Sequence, residues 1–395
     1  MRILLLHNRY LFRGGEDASF ESEASLLRDQ GHEVEEYIQD NKKIASISTV
    51  EAGLRTSWSR RDFKQLRTLI SIKRPDVMHI HNSFPLISPA AYYAAKAEGI
   101  PIVQTLHNYR LLCPSAILFR SNQVCEECIG KSVPWPGIYH KCYKQSRLAS
   151  MSVAIMLSVH RFIKTYKNNV NRYIALSEFA VDKFIEGGLP REKIVIKPNF
   201  VHPDPGYEKS SGDFALYIGR LVEEKGLSVL LEAWKRLGKR YPLKIAGDGP
   251  MQAEVAEAAE RIDGVEILGR IPPEQVYDLM RASAFLVFPS IWYEVLPRTI
   301  VEAFSVGRPV VCSRMGAMTS LIHHRRNGLH FTPGDLEDLA DKIRWCFNNP
   351  HMIKDMGGEA RLEFETKYTA ERCYEMIMNI YRHAGEDRSL QPSLF

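Results

Sequence analysis

Strand-like runs alternate with helical patterns twice along the 395 residues, and this alternation constrains the fold more than any other feature. Parallel sheets with right-handed crossovers produce such alternation, so the sequence predicts two doubly wound α/β domains. A chain of this length exceeds one ordinary core and fits two domains of about 190 residues each. Because ligands of such folds bind at the carboxyl ends of the strands, we expect the site in a cleft between the domains.

Twelve short apolar runs carry the strand pattern. They are residues 3–6, 34–38, 77–80, 102–105, 173–175, 195–197, 215–218, 243–246, 265–268, 285–288, 309–312 and 329–331. The Pro- and Gly-rich segment 201–213 predicts a linker between the halves. We therefore expect one domain over residues 1–200 and a second over 201–365. Residues 366–395 are expected to form a C-terminal helix that crosses back to the first domain, followed by a tail.

Charge is distributed unevenly between the two halves. Residues 1–200 hold 28 Lys/Arg against 19 Asp/Glu, whereas residues 201–395 hold 24 against 28, so the basic half should face an anionic partner. No acidic residue lies between Cys128 and Ser177. The basic residues of this stretch are Lys131, Lys141, Lys144, Arg147, Arg161, Lys164, Lys167 and Arg172.

Residues 148–166 within this basic stretch are apolar enough to form a helix with a basic end. An anionic membrane surface is one candidate partner. The alternative is a helix that faces the core and carries a solvated basic flank. Nucleic acid is not expected, because no recognised binding motif accompanies the charge.

Composition favours a folded soluble protein, with 45% hydrophobic and 25% charged residues. No run reaches the length of a membrane span, and the start of the sequence lacks a signal-peptide pattern. We predict a cytoplasmic location, with peripheral attachment to the inner face of the cytoplasmic membrane as an extension. The seven cysteines should then be reduced thiols or metal ligands.

The segment PSIWYEVLPRTIVEAFSVGR, residues 289–308, follows a predicted strand and begins a predicted helix. Pro297 suits the first helical turn, so Glu294 falls before the helix and Glu302 within its second turn. Backbone N–H groups at a helix start favour a phosphate, and the two carboxylates can accept hydroxyls on either side of it. This pattern is typical of a nucleotide-sugar site. The alternative is a capped, solvated helix whose glutamates fall eight positions apart by chance.

Two other loops after predicted strands carry binding residues. Gly14 and Gly15 open a helix after the first strand, where backbone can approach a ligand and the helix start can receive an anion. Arg220 and Lys225 follow the first strand of the second domain and suit a diphosphate. Asp248, in the turn AGDGP, is interpreted as a structural helix cap.

Six motifs occur in the order found in retaining glycosyltransferases of family 4, and the chain resembles that family along nearly its whole length. They are GGED (14–17), TLHN (105–108), PNF (198–200), GRLVEEKG (219–226), AGDGP (246–250) and the segment from Pro289 through Val311. The most specific marker is the pair of glutamates separated by seven residues. The resemblance implies a GT-B architecture, in which two Rossmann-like domains face each other across a cleft.

The resemblance also implies a role for each residue at a matching position. Arg220 and Lys225 would bind the donor diphosphate, Glu302 the ribose hydroxyls, and Glu294 the transferred sugar. His107, at the end of the fourth predicted strand, would contact the donor sugar from the first domain. The remaining donor-binding positions are Gly14, Gly15, Ile271 at the base, and the backbone of Val295 and Leu296. This sequence departs from the family, which usually has glycines where Val295, Leu296 and Pro297 stand.

Four cysteines lie within a predicted insertion over residues 108–147. They are Cys113, Cys125, Cys128 and Cys142. Four thiols that include one C-x2-C pair suit a structural zinc. A loop of this length also needs a cross-link, such as a metal site, to be ordered. Free thiols or disulfides are the alternatives. His79 and His81 alternate on a strand, but we interpret them as structural because similar pairs occur in the family without metal.

The resemblance implies a retaining enzyme that moves a hexose from a nucleoside-diphosphate sugar to a glycan or lipid-linked saccharide. Cell-surface polysaccharide or glycolipid synthesis is the expected context, and catalysis is expected to need no cofactor. One alternative is a catalytically silent sugar-nucleotide-binding scaffold. A second is a non-hydrolysing sugar-nucleotide epimerase of similar fold, against which the two glutamates with Arg220 and Lys225 argue.

Overall fold

The computed structural model describes residues 1–11, 13–207 and 212–389. Residues 208–211 of the predicted linker and the end of the predicted tail lie outside the described residues. The chain forms two compact units. The first comprises residues 1–118, 126–198 and the stretch from Cys373 onward, and the second comprises residues 119–125 and 199–372. Over the described ranges, every helix is too short or too polar to cross a membrane.

A parallel sheet of six strands forms the centre of the first unit. Its strands are β1 (Arg2–Arg9), β2 (Glu33–Asp40), β3 (Val77–Asn82), β4 (Ile102–Leu106), β7 (Arg172–Ala175) and β8 (Ile194–Ile196). The antiparallel pair β5 (Phe119–Arg120) and β6 (Gln123–Val124) lies between β4 and β7 in the sequence and belongs to the second unit. Across the sheet the order is β2-β1-β3-β4-β7-β8. Strands β3 and β4 are buried throughout, as expected for a parallel sheet covered by helices on both faces.

Helices cover this sheet. They are α1 (Gly15–Asp29), α2 (Thr49–Ser57), α3 (Arg60–Lys73), α4 (Ala90–Ala97), α5 (Trp135–Tyr139), α6 (Arg147–Phe162), α7 (Thr165–Asn168) and α8 (Glu178–Glu186), with short 3-10 helices at Asn41–Ser46 and Arg191–Lys193. The predicted helix over 148–166 is thus too long, because Lys164 adopts a left-handed conformation (φ 57°) that separates α6 from α7.

The second unit repeats the plan. Its strands are β9 (Ala215–Ile218), β10 (Leu243–Ala246), β11 (Val265–Gly269), β12 (Phe285–Phe288), β13 (Val310–Ser313) and β14 (Gly328–Phe331), in the order β11-β10-β9-β12-β13-β14. Its helices are α9 (Leu227–Leu237), α10 (Gln252–Glu260), α11 (Pro273–Ala282), α12 (Arg298–Ser305), α13 (Met318–Leu321), α14 (Leu336–Asn348) and α15 (Pro350–Lys367), with a 3-10 turn at Glu223–Lys225. Trp234 is fully buried in the core, and its indole N–H donates to the Tyr241 carbonyl (2.7 Å).

The last helix, α16 (Ala370–Ser389), belongs to the first unit from Cys373 onward. The Tyr381 hydroxyl lies 2.8 Å from His79 Nδ1 on β3, and the Tyr374 hydroxyl lies 2.8 Å from His32 Nε2. Two tyrosines of this helix therefore form hydrogen bonds with histidine side chains elsewhere in the first unit.

All twelve predicted strands are confirmed, and the two parallel sheets confirm the predicted α/β class. The predicted helix cap at Asp248 is wrong, because α10 begins at Gln252. The backbone around Asp248 pairs with a neighbouring loop instead: the Leu221 N–H donates to the Asp248 carbonyl (2.8 Å), and the Met251 N–H donates to the Leu221 carbonyl (3.0 Å).

Candidate active site

The strand order of the second unit places a topological switch point between β9 and β12. The chain continues from β9 to β10 and β11 on one side, and from β12 to β13 and β14 on the other. At such a point the loops diverge, and the carboxyl ends of the strands border a crevice that binds ligands. Arg220 and Lys225 follow β9, and Glu294 follows β12. Three of the predicted site residues therefore border the switch point.

Lys225 and Glu294 are in direct contact across these two loops. Lys225 Nζ lies 2.6 Å from Glu294 Oε1, and the same oxygen accepts hydrogen bonds from Ser290 Oγ (2.9 Å) and Trp292 Nε1 (2.8 Å). The ammonium also lies 5.1 Å from the centroid of the Phe288 ring. None of the described hydrogen bonds reaches Glu294 Oε2. The chain thus orients the carboxylate through one oxygen, and the other can accept from a ligand hydroxyl.

Two glycines allow the loops of this crevice to approach each other. Gly226 has a φ of 72°, and a Cβ there would collide with the Pro289 carbonyl oxygen. Gly247 has a φ of 149°, and a Cβ there would collide with the Gly219 carbonyl oxygen. Larger residues would push the Arg220 and Lys225 loop away from its neighbours, so both glycines help to position the cations.

Glu302 lies in the second turn of α12 and Glu294 lies before that helix, as predicted. Arg298 Nε donates to Glu302 Oε1 (2.8 Å), and both side chains are largely buried. Burial, together with the negative charge of Glu302, raises the pKa of Tyr277 to about 12. Arg298 therefore orients Glu302 in an environment that is largely shielded from solvent.

The other residues predicted to contact the donor in the second unit are Arg220, Ile271, Val295 and Leu296. Val295 and Leu296 are buried in the loop between Glu294 and α12. Arg220 is exposed, and its carbonyl accepts from the Tyr217 hydroxyl (2.9 Å). Ile271 is half-buried and follows β11, at the sheet edge and two strands away from β9.

In the first unit, Gly14 and Gly15 lie at the start of α1, after β1, as predicted. The Gly14 N–H donates to Asp17 Oδ2 (2.9 Å), and Asp17 Oδ1 lies 2.8 Å from His7 Nε2. The N–H of Gly14 is therefore already engaged by the chain's own carboxylate. Gly15 is exposed and remains the more accessible of the two glycines.

Glu16 is a functional candidate that the sequence did not single out. Its Oε2 accepts hydrogen bonds from the Tyr10 hydroxyl (2.9 Å) and from Asn108 Nδ2 (3.1 Å). Its Oε1 is buried and has no hydrogen-bond partner among the described residues. Burial raises the pKa of Glu16 to about 7. A carboxyl group of this kind can exchange a proton with a bound hydroxyl near neutral pH.

His107 ends a series of buried hydrogen bonds. His107 Nε2 lies 2.9 Å from His81 Nδ1, His81 Nε2 lies 3.1 Å from Glu23 Oε1, and Glu23 Oε2 lies 2.8 Å from Lys197 Nζ. Although burial opposes it, the positive charge of Lys197 helps to hold the pKa of Glu23 well below its usual value. Burial lowers the pKa of His81 to about 4 and lowers that of His107 well below its usual range.

These contacts fix which ring nitrogens carry protons. The ionised Glu23 can only accept, so the proton of neutral His81 is assigned to Nε2. His81 Nδ1 is then an acceptor, and it receives the Nε2–H of His107. His107 Nδ1 is consequently unprotonated. The network thus presents His107 as a hydrogen-bond acceptor toward a ligand.

Glu23, His79 and His81 are the group over the described ranges whose ligand atoms lie close enough to hold a metal ion, within 4.8 Å of one another. His79 Nδ1 lies 2.8 Å from the Tyr381 hydroxyl, and His79 Nε2 lies 2.8 Å from Thr105 Oγ1. The Lys197 ammonium shares the Glu23 carboxylate and would repel a cation. The geometry therefore supports the structural interpretation of the two histidines.

The predicted zinc site of Cys113, Cys125, Cys128 and Cys142 is not supported. None of the four thiols is in a disulfide, and no three of them lie within metal-binding distance of one another over the described residues. Cys113 and Cys128 share a hydrogen bond, which lowers the pKa of Cys113. The loop is ordered by other contacts: Arg161 donates to the carbonyls of Lys131 (2.6 Å) and Leu111 (2.6 Å).

Sequence reasoning missed Glu16, Glu23 and Lys197. A signal existed for Glu23, because it shares the helical spacing of Phe20 and Leu27, which places a carboxylate on the buried face of α1. Lys197 is the last residue of a predicted strand. A lysine that is buried in a strand must have an acidic partner, so Lys197 was also a possible signal. The partner itself could not be identified from the sequence, because 174 residues separate the two.

Sequence models of two families match adjacent parts of the chain. The model described as Glycosyltransferase Family 4 matches residues 14–205, and the model described as Glycosyl transferases group 1 matches residues 204–363. Together they cover all the candidate residues described above.

Two curated relatives show the range of similarity. The chain is 24% identical to the uncharacterized glycosyltransferase MJ1178 of Methanocaldococcus jannaschii, over 98% of this chain and 99% of that protein. It is 33% identical to the D-rhamnosyltransferase WbpZ of Pseudomonas aeruginosa, over 41% of this chain and 43% of that protein.

Solved structures share the fold. Alr3699/HepE of Anabaena in complex with UDP has a TM-score of 0.69 at 17% identity and covers 96% of this chain and 99% of its own. The complex of the same protein with UDP-glucose has a TM-score of 0.67 at 17% identity, over 99% of this chain and 100% of its own. The similarity extends over both units.

Proposed function

Because the chain belongs to the group 1 glycosyltransferases, we propose that it transfers a hexose from a nucleoside-diphosphate sugar to a saccharide or lipid-linked saccharide, with retention of anomeric configuration. The observation that carries this proposal is the contact of Lys225 with Glu294, beside Arg220, at the switch point of the second unit. The loops after β9 and β12 thus hold residue types that suit a diphosphate and a sugar hydroxyl, which supports the proposal. The fold shared with a protein crystallised with UDP and UDP-glucose supports a nucleotide-sugar donor.

Donor binding divides among the residues as follows. Arg220 and Lys225 bind the diphosphate and stabilise the negative charge that develops on the leaving group. Glu302, oriented by Arg298, accepts hydrogen bonds from the ribose. Glu294 Oε2 accepts from a hydroxyl of the transferred sugar. The remaining donor contacts are the backbone of Val295 and Leu296, the side chain of Ile271 at the base, and the Gly14–Gly15 turn, where the exposed Gly15 is the accessible residue.

In the transfer step, the bond from the anomeric carbon to the diphosphate breaks, and a bond to the acceptor oxygen forms on the same face of the sugar. The acceptor proton passes to the departing phosphate, which serves as the base. Glu294 has an electrostatic and positioning role, because three donors already hold its Oε1. His107 Nδ1 accepts a hydrogen bond from the donor sugar. None of these steps requires a cofactor.

We place the reaction in the synthesis of a cell-surface polysaccharide or glycolipid. The D-rhamnosyltransferase among the relatives, and an O-antigen chain mannosyltransferase of Escherichia coli that is 30% identical over 46% of this chain, support that context. The corresponding location is the cytoplasm, with peripheral attachment to the inner face of the cytoplasmic membrane.

A thermal-shift panel of nucleoside diphosphates tests the donor assignment, because a ligand that binds only the folded state raises the melting temperature. Incubation with the matching sugar nucleotide and candidate acceptors then tests transfer, and NMR of the product gives its anomeric configuration. Binding without transfer or donor hydrolysis would identify a silent binding protein. Conversion of the donor into its epimer would identify an epimerase.

A further inference from the structure

Helix α6 exposes a continuous apolar stripe. Its members and their exposed fractions are Leu148 (68%), Met151 (41%), Ile155 (49%), Val159 (44%) and Phe162 (86%). At about 100° per residue, all five project within an arc of ~80°, and the stripe is ~21 Å long. Large apolar side chains aligned in this way on a surface mark an interaction site.

The opposite face of the same helix is already buried in the first unit. Val153, Ala154 and Leu157 are almost fully buried, and His160 Nδ1 lies 2.8 Å from Thr165 Oγ1. The helix is therefore apolar on two faces, and the core covers only one of them. The burial pattern therefore excludes the alternative that α6 packs all of its apolar surface against the core.

Exposed cations precede and follow the stripe in the sequence, and Lys131, Lys164 and Lys167 line the same cavity as Val159 and Phe162. Six cations between residues 131 and 167 are exposed: Lys131, Lys141, Lys144, Arg147, Lys164 and Lys167. No acidic residue lies between Cys128 and Ser177 in the sequence, so α6 and the segments on either side of it carry only positive charge. Helix α5, which packs against α6, exposes Trp135 (57%) and Tyr139 (65%), the residue types that favour a membrane–water interface.

A cavity of about 590 Å³ opens beside the stripe. Val159 and Phe162 of the stripe form part of its wall, together with Val133 and Leu189. Leu111 and Tyr166 line both this cavity and the small one beside His107. The walls of the cavity therefore connect the exposed stripe with the surroundings of a proposed active-site residue.

We propose that the α6 stripe and its six flanking cations seat the protein on an anionic phospholipid bilayer, with the stripe inserted among the acyl chains. Charge complementarity selects this occupant: apolar side chains bury in the interface while the cations meet anionic headgroups. The cavity then opens at the membrane, where it admits part of the hydrocarbon chain of a lipid-linked acceptor. This last step rests on the proposed transferase function, whereas bilayer binding does not.

Flotation of the full-length protein with vesicles tests the surface directly. Vesicles of phosphatidylglycerol and phosphatidylcholine should recover the protein at about 0.1 M salt and lose most of it at about 1 M salt, because screening shortens the electrostatic range. Pure phosphatidylcholine vesicles should recover little. Ile155→Glu combined with Phe162→Glu should abolish flotation, and each lysine neutralised, such as Lys144→Gln or Lys164→Gln, should weaken it about fivefold.

The matched control is Ile72→Glu, which adds a carboxylate at a 70% exposed isoleucine of α3. It should float like the wild type. Melting temperatures of all variants test the fold, and binding of the nucleoside diphosphate found by thermal shift tests the donor unit, so failed vesicle binding is distinguishable from a failed donor assignment. Absence of flotation by the wild type at low salt overturns the proposal. So does self-association in solution that the double variant abolishes, because the stripe would then be a protein interface.

Discussion

Lys225 Nζ lies 2.6 Å from Glu294 Oε1, although 69 residues separate the two in the sequence. The contact joins the loop after β9 to the loop after β12, the two strands that flank the switch point of the second unit. It holds the carboxylate by one oxygen and places a cation where the carboxyl ends of both strands meet. Under the proposed function, a bound diphosphate would compete with Glu294 for the Lys225 ammonium.

Substitution of Lys225 or Arg220 by alanine should lower transfer at least about 100-fold, because each removes charge stabilisation from the departing diphosphate. The measurement is kcat/KM with the sugar nucleotide found by thermal shift. Lys235→Ala, which removes an exposed lysine from α9, is the control and should leave turnover unchanged. Near-normal turnover in both site variants would contradict the donor-site assignment.

Glu302→Ala should weaken binding of the nucleoside diphosphate more than it slows the bound complex. The contact with the ribose exists in the ground state and the transition state alike, so its loss raises KM more than it lowers kcat. Calorimetric titration with the nucleoside diphosphate and steady-state kinetics separate the two effects. A variant that binds normally and loses only kcat would assign Glu302 to the chemical step.

Glu23→Gln should disturb His107 without touching a ligand. The amide leaves Lys197 without its buried counter-ion, at a cost of about 3–5 kcal/mol in the free energy of unfolding. It also removes the constraint on the His81 proton, so His107 Nδ1 should become partly protonated, and transfer should fall roughly 10- to 100-fold.

The readout specific to this role is the tautomer of His107 in ¹⁵N NMR of the imidazoles. Glu21→Gln, on an exposed part of the same helix, is the control and should preserve both the tautomer and the activity. An unchanged His107 spectrum in Glu23→Gln would refute the network, even if the variant is less stable.

Glu16→Gln should change how stability depends on pH. Burial raises the pKa of Glu16 from 4.5 to about 7, so between these values the carboxyl ionises in the unfolded chain but stays protonated in the folded one. The folded state then binds more protons, and the wild type loses stability relative to the variant as pH rises through this window. The difference should level off above about pH 7. Denaturant unfolding at several pH values measures it, and a difference that is constant with pH would contradict the assignment.

The sequence by itself determined the elements that depend on near neighbours in the chain. Apolar periodicity located all twelve strands of the two sheets, and the strand-to-helix turn placed Glu294 before α12 and Glu302 in its second turn. These features follow from local hydrogen bonding and burial within one βα unit, so about twenty residues of sequence are enough to specify them. The motif order along the chain identified the family on the same basis.

Only the tertiary structure decided which distant side chains meet. It paired Lys225 with Glu294 and Lys197 with Glu23, and the second pair is what fixes the proton of His107. It separated the four cysteines, so that over the described residues no three of them can bind one metal ion, although their spacing in the sequence suited zinc. It also decided which apolar face of α6 the core covers. Each outcome depends on how strands and helices pack across long separations in sequence, and local periodicity carries no information about that packing.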